Sequence, residues 1–114
     1  MESILVSIKK LLGIDSSYTH FDQDIIMHIN SVLMVLNQLG VGPVDGFMIE
    51  DDTSTWYNFL PDASTAKLEA VKSYMYLKVR LLFDPPLSSS VIDSINRQIS
   101  EFEWRLNVAA ETTK

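Results

Sequence analysis

His20 and His28 are the only imidazoles in a chain of 114 residues, and they stand eight apart. A zinc-binding HExxH helix needs its two histidines four apart on one face, so this pair lacks the spacing. His28 falls beside the apolar stripe of a helix and His20 in the loop before it, where surface or hydrogen-bonded histidines are ordinary. The run Glu50-Asp51-Asp52 offers oxygen donors of the kind a hard cation takes. It lacks the alternating D-x-D-x-D-G pattern that wraps an ion, and it reads as a solvated acidic loop. With no cysteine there is no thiolate metal site, disulfide or thiol nucleophile. The four glycines fall into neither GxxxxGK nor GxGxxG, so the chain has no phosphate-cradling loop. Ser88–Ser90 has no neighbouring base to activate a hydroxyl and reads as a helix cap. We assign no catalytic, cofactor-binding or metal-ligating residue and expect no cofactor. The expected function lies in surfaces rather than in catalysis.

Four residues are candidates for such surfaces. In "EFEWRLN", Glu101–Asn107, the flanks of the helix carry Trp104 and Arg105, residue types enriched at interface hot spots. Trp104 has a second reading, as a cover over the core edge. Tyr76 belongs to a helix that is apolar nearly all round, and Phe47 to a long connection.

The elements that position these residues follow from hydrophobic spacing. A first helix, Glu2–Leu12, places Ile4, Leu5, Ile8, Leu11 and Leu12 on one face. Lys9 and Lys10 suit its carbonyl end and Gly13 its stop. A second helix, Asp22–Leu39, has Ile25, Ile29, Val32, Leu36 and Leu39 three and four apart. The third, Ser64–Phe83, sets Leu68, Val71, Met75, Val79 and Leu82 on one face, with Tyr74, Tyr76, Leu77, Leu81 and Phe83 around it. So apolar a helix is buried on more than one side and is expected to be the central one. It must end at Asp84, because Pro85 disfavours helical geometry there. The fourth, Ser88–Asn107, carries the stripe Val91, Ile92, Ile95, Ile99, Phe102 and Leu106, with "SVID" at Ser90–Asp93 as a capping box in outline. Between the second and third helices, Val41–Pro61 is long for a connection in a small domain, and such loops are usually functional. Within it Phe47–Ile49 reads as a short strand or a core plug, and Trp56, Phe59 and Leu60 as a short helix with its aromatic inward. From about Ala109 the tail is expected to be frayed.

Size and composition set the frame. A chain of 114 residues is one domain by length, and its hydrophobic fraction of 46% is that of a folded protein. The fold class expected is all-α: a small bundle of four main helices, with a long loop and a short helix between the second and third. The longest apolar run, Val32–Leu36, is far short of the ~20 residues of a membrane span, and "MESILVSIKKLLG" has the wrong order for a signal peptide. A soluble, intracellular protein without a membrane partner is expected. Net charge is −6, and its distribution is uneven. Leu11–Ala66 has eight acids and no Lys or Arg, whereas Lys67 onward has seven bases and six acids. Duplex DNA readers carry a basic stripe for phosphates, and none is present.

The central "VKSYMYLKVRLLFDPP", the terminal "INRQISEFEWRLN" and the connection "GVGPVDGFMIEDDTSTW" together resemble the head–tail connector, or adaptor, proteins of tailed bacteriophages, over essentially the whole chain. That resemblance implies a helical subunit of a ring, typically of twelve, beneath the portal protein of the DNA-filled head. Such a ring extends the DNA channel and docks the next neck or tail-completion protein. The implied partners are the portal, neighbouring copies, that downstream protein, and genomic DNA passing without tight binding. The implied location is the virion neck, after assembly in the bacterial cytoplasm. On this reading Glu50, Asp51 and Asp52 line the channel or pair with a neighbour's Lys67, Lys72 or Arg97. The alternative is a small helical binding module of a phage or mobile element, regulating or inhibiting a host protein.

Overall fold

A computed structural model describes residues 2–112. Five helices follow in order: α1 (Ile4–Leu11), α2 (Asp22–Gln38), α3 (Trp56–Phe59), α4 (Thr65–Phe83) and α5 (Ser89–Thr112). The fold is all-α, and the described residues contain only an isolated antiparallel bridge between Ser3 and Thr55 in place of any strand. Phe47–Ile49 is therefore no strand: Ile49 plugs the core while Met48 is exposed. Helix α4 is the central element and packs against α1, α2 and α5. Its Val71, Tyr74, Met75 and Val79 are buried among Ile25, Ile29, Val32 and Leu36 of α2 and the apolar face of α5.

Four helix starts and one helix end have a clear chemical cause, whereas α2 begins at Phe21 without a side-chain cap. Ser3 caps α1 by accepting from the Val6 amide at 3.3 Å, and Ser64 caps α4 by accepting from Lys67 at 3.1 Å. Thr55 and Asn58 exchange side-chain bonds with each other's amides, a reciprocal box that starts α3. Helix α4 stops at Asp84, whose φ of −148° and ψ of 70° lie outside the helical region, which a following proline disfavours. For α5 the capping hydroxyl is that of Ser88, which accepts from the Val91 amide, not that of Ser90.

Helix α5 also runs beyond the expected Asn107, through Thr112. Ala109–Thr112 is helical rather than frayed because Ala110 is buried against the end of α2. Gly40 makes that contact possible: it sits at φ +88°, and a Cβ there would lie 2.9 Å from the Ala110 methyl. Asn107 Nδ2 adds a hydrogen bond to the Leu39 carbonyl at 3.2 Å. Residues 113 and 114 of the expected tail lie outside the described residues.

Two anchors organise the connections. Lys9 does not serve the α1 terminus in solvent; it is 2% exposed. Its ammonium meets the Ser16 carbonyl at 3.2 Å, the Tyr18 carbonyl at 2.7 Å and Asp22 Oδ1 at 2.8 Å, gathering the α1–α2 loop around one charge. The second anchor joins residues about fifty positions apart. Ile4 donates to the Ser54 carbonyl and Trp56 to that of Glu2, at 3.0 and 3.2 Å. The Trp56 indole, fully buried, donates to Ser7 Oγ at 2.9 Å. Ser7 lies 2.5 Å from Glu2 Oε1, which in turn reaches Lys72 at 3.5 Å. That hydrogen bond, and then Lys72, hold the Glu2 carboxyl below its usual range against the effect of burial.

Leu11, Leu82 and Val91 share the phase of the buried stripes yet are 49%, 52% and 43% exposed. Each lies at the end of its helix, beyond the reach of a partner.

Candidate docking surfaces

The outward side of α2 repeats the spacing of its buried side in a different chemistry. Met27, Asn30, Met34 and Asn37 follow one another three and four residues apart, so they form one stripe. Asn30 clamps the chain at Ile49: its Nδ2 donates to the Ile49 carbonyl at 3.0 Å, and its Oδ1 accepts from the Ile49 amide at 2.8 Å. Asn37 Nδ2 donates to the Pro43 and Val44 carbonyls at 3.0 and 3.3 Å. These two amides lay residues 43–49 back along α2. Between loop and helix lies an open groove of about 690 Å³, lined by Met27, Met34, Phe47 and Met48, with Asp45 its charged member.

The groove is apolar and wet. Met27, Met34 and Met48 are 61%, 63% and 70% exposed. Met75 is in the core and Met1 lies outside the described residues, so the other three of the chain's five methionines all meet here. Methionine is flexible and polarisable, and suits adaptable binding surfaces. Phe47 is half-buried and packs on Phe59 with ring centroids 5.2 Å apart. Gly42 supports that pair from behind: at φ +97°, a Cβ there would collide with the Phe59 ring. Glu50, Asp51 and Asp52 follow Met48 and are all exposed. Asp51 accepts from the Thr53 hydroxyl and amide, which hold its carboxyl below the usual range. Replacing Asn30 by alanine leaves both Ile49 backbone groups without a partner. We expect a loss of about 1–3 kcal/mol in urea unfolding, with faster amide exchange at Ile49. Unchanged exchange there would show that other contacts hold the loop.

A second surface is the outer side of α5. Trp104 is 67% exposed, so it does not cover the core edge. Arg105 is tied to Glu101 Oε1 by two bonds of 3.0 and 2.7 Å. Arg97, on the same side, is exposed and makes no ion pair with any described residue. Tyr76 is half-buried on α4, where its hydroxyl accepts from Arg80 Nη1 at 3.1 Å. The four interface candidates thus lie on three elements: Phe47 on the loop, Tyr76 on α4, Trp104 and Arg105 on α5. Sequence reasoning missed Met27, Met34, Met48, Asn30 and Asn37. Their signal was the second stripe on α2, out of phase with the first and ahead of a long connection.

A third surface surrounds the α4–α5 turn, where Leu82, Leu87 and Val91 are exposed. Tyr18 and Phe21 extend it, with Phe21 edge-on to Phe83 at 5.4 Å.

Beneath α5, the buried Tyr74 donates to Glu103 Oε2 at 2.7 Å, and Lys78 lies 3.6 Å from the same oxygen. Burial, then the Glu103 contact, push the phenol far above its ordinary value of 10.0. Its contribution to stability is therefore complete below pH 10 and is lost as pH rises beyond. The melting temperature of the wild type should fall above that pH more steeply than that of Tyr74→Phe. Parallel curves would rule out the coupling.

Among the described residues no cluster of three His, Asp or Glu is placed to hold a metal ion, and no helix is long and apolar enough to cross a membrane. The fold and its surfaces define a compact all-α protein that gathers exposed apolar side chains into patches. Its family follows from comparison: residues 4–113 match the phage connector protein family, nearly the whole chain, and the protein belongs to it. Searches of curated proteins and of solved structures return no match. Membership gives the chain a phage structural role, as a component of the virion.

Proposed function

We propose that this chain is a non-catalytic subunit of a head–tail connector, forming a ring, typically of twelve, beneath the portal. The ring extends the DNA channel and docks the next neck or tail-completion protein after assembly in the host cytoplasm. The observation that supports this best is the family match over residues 4–113, in a chain whose apolar surface is divided among separate patches. A ring subunit needs at least two unlike faces for its neighbours and further ones for the components above and below. Charge is consistent with a conduit. A wall rich in acids repels phosphates, whereas basic walls bind them through counterion release.

Electron microscopy of the chain mixed with its portal tests the reading: an added ring of density is expected, and its absence overturns it. Tight one-to-one binding to a soluble host protein, with no ring, would favour a regulator instead. Changing Glu50, Asp51 and Asp52 together to lysine separates two roles for the acidic loop. If the loop lines the channel, the ring persists and genome retention or release is impaired. Loss of the ring would place the loop at an inter-subunit contact.

A further inference from the structure

We propose that the pocket between the α1–α2 loop and the end of α4 binds the guanidinium of an arginine side chain, presented by an apolar segment of a partner protein. The inference does not depend on the ring: it concerns what this pocket takes, whichever component supplies it.

The pocket has a volume of about 380 Å³ and is lined by Leu12, Ile14, Tyr18, Phe21, Phe83 and Asp84. Its three aromatic rings are inclined to one another. Phe21 meets Tyr18 at 5.9 Å and 57°, and Phe83 at 5.4 Å and 71°. Rings at such angles are not stacked, and Tyr18 and Phe21 stay accessible to solvent. Aromatic faces attract cations.

Charge points the same way. Asp84 is exposed and makes no ion pair with any described residue. Arg80, one turn earlier, donates to the Tyr76 hydroxyl instead. Pro85 and Pro86 have no N–H, so the Leu81 and Leu82 carbonyls lack the donors that would stand one turn on. That carbonyl end of a 19-residue helix carries partial negative charge. Leu12, which closes α1, brings a second helix C-terminus to the same wall. The positive end of α2 is offset by Asp22 and Asp24 in its first turn. No Lys or Arg lines the pocket: Lys9, behind the loop, is buried and paired with Asp22.

Shape then selects the cation. A guanidinium is planar, stacks on aromatic rings and pairs in a fork with a carboxylate, which an ammonium cannot do. Leu82 and Leu87, which bracket Phe83 and Asp84 in the chain, are exposed. A free cation would leave them in water, whereas a cation carried on an apolar segment covers them. The pocket is also formed in advance. Lys9 holds the Ser16 and Tyr18 carbonyls, and Asp15 accepts from the Ser17 amide at 2.8 Å, so the loop bearing two of the rings needs little ordering on binding.

Titration of the isotope-labelled 114-residue chain with acetyl-Leu-Arg-Leu-amide, followed by NMR, tests the assignment. Saturable shifts centred on Tyr18, Phe21, Phe83 and Asp84 are expected. The citrulline analogue keeps the shape without the charge and should bind roughly tenfold or more weakly. Asp84→Asn and Phe21→Leu should each weaken the arginine peptide by roughly five- to tenfold, with the circular dichroism spectrum unchanged. Should Phe21→Leu disturb the fold, Tyr18→Leu removes a ring from an exposed position and should have the same effect on binding. Equal binding of the citrulline peptide, or shifts scattered over the acidic surface, would overturn the proposal, as would no shift at all. Equal binding of acetyl-Leu-Lys-Leu-amide would overturn the choice of arginine. Ethylguanidinium binding as tightly as the arginine peptide would overturn the partner segment and make this a small-cation site. The isolated chain is titrated, so each outcome is separate from whether a ring forms on the portal.

Discussion

Lys9→Met is expected to cost about 3–5 kcal/mol of stability, the loss typical of a buried ion pair deprived of one partner. Methionine keeps most of the aliphatic stem, so the apolar contacts of the site survive and the loss reports on the ammonium. That group uses its donors on Ser16, Tyr18 and Asp22 at 2.7–3.2 Å. Without it, two carbonyls and the Asp22 carboxylate, whose side chain is 20% exposed, are left facing one another. Asp22 retains some support from the α2 N-terminus, which favours the lower part of the range. The double variant Lys9→Met/Asp22→Asn should recover part of the loss, since it removes the stranded charge. Urea unfolding of the three proteins measures this. A cost below about 1 kcal/mol, the value of an exposed pair, would show that water reaches the site freely.

Trp56→Ala should be of similar size, about 3–5 kcal/mol, and Trp56→Phe much smaller. The indole is fully buried and gives its N–H to Ser7. Phenylalanine keeps most of the packing and loses the hydrogen bond, at about 1–2 kcal/mol. Fluorescence provides an independent check, because the other tryptophan, Trp104, is exposed. Emission from Trp104→Phe should be blue-shifted and should report unfolding cooperatively, while that from Trp56→Phe should be red-shifted before denaturant is added. Equal costs for alanine and phenylalanine would indicate that the hydrogen bond, rather than the ring volume, holds α3 in place.

The helices were legible because burial on one side imposes a 3.6-residue period, and that period is visible without coordinates. The inward turn of Trp56 and Phe59 was legible for the same reason. Helix phase reports which way a residue points, not how far the partner helix extends, so Leu11, Leu82 and Val91 read as core and are exposed. Lys9 and Lys10 look alike in sequence. Only the pairing of Lys9 with Asp22, across a loop whose path the sequence does not give, distinguishes the buried one. The groove was hidden in the same way: Asn30 and Asn37 are unremarkable on a helix until the chain returns to meet them. Trp104 was placed correctly off the core stripe, but its exposure depends on how α5 is rotated against α4.

The antiparallel bridge between Ser3 and Thr55 sets an order of events for the nascent chain. Residues 2–7 leave the ribosome about fifty residues ahead of the backbone groups they bond, Ser54 and Trp56. Closing so long a loop is entropically costly and is repaid only when its contacts form together. Helices α1 and α2 can therefore meet early through Lys9 and Asp22. The groove-forming connection takes its final path only after Trp56 has been synthesised and has docked on Ser7. A pause in translation before that codon would hold the chain with the apolar face of α1 not yet covered by α4, the interval in which a chaperone has most to bind.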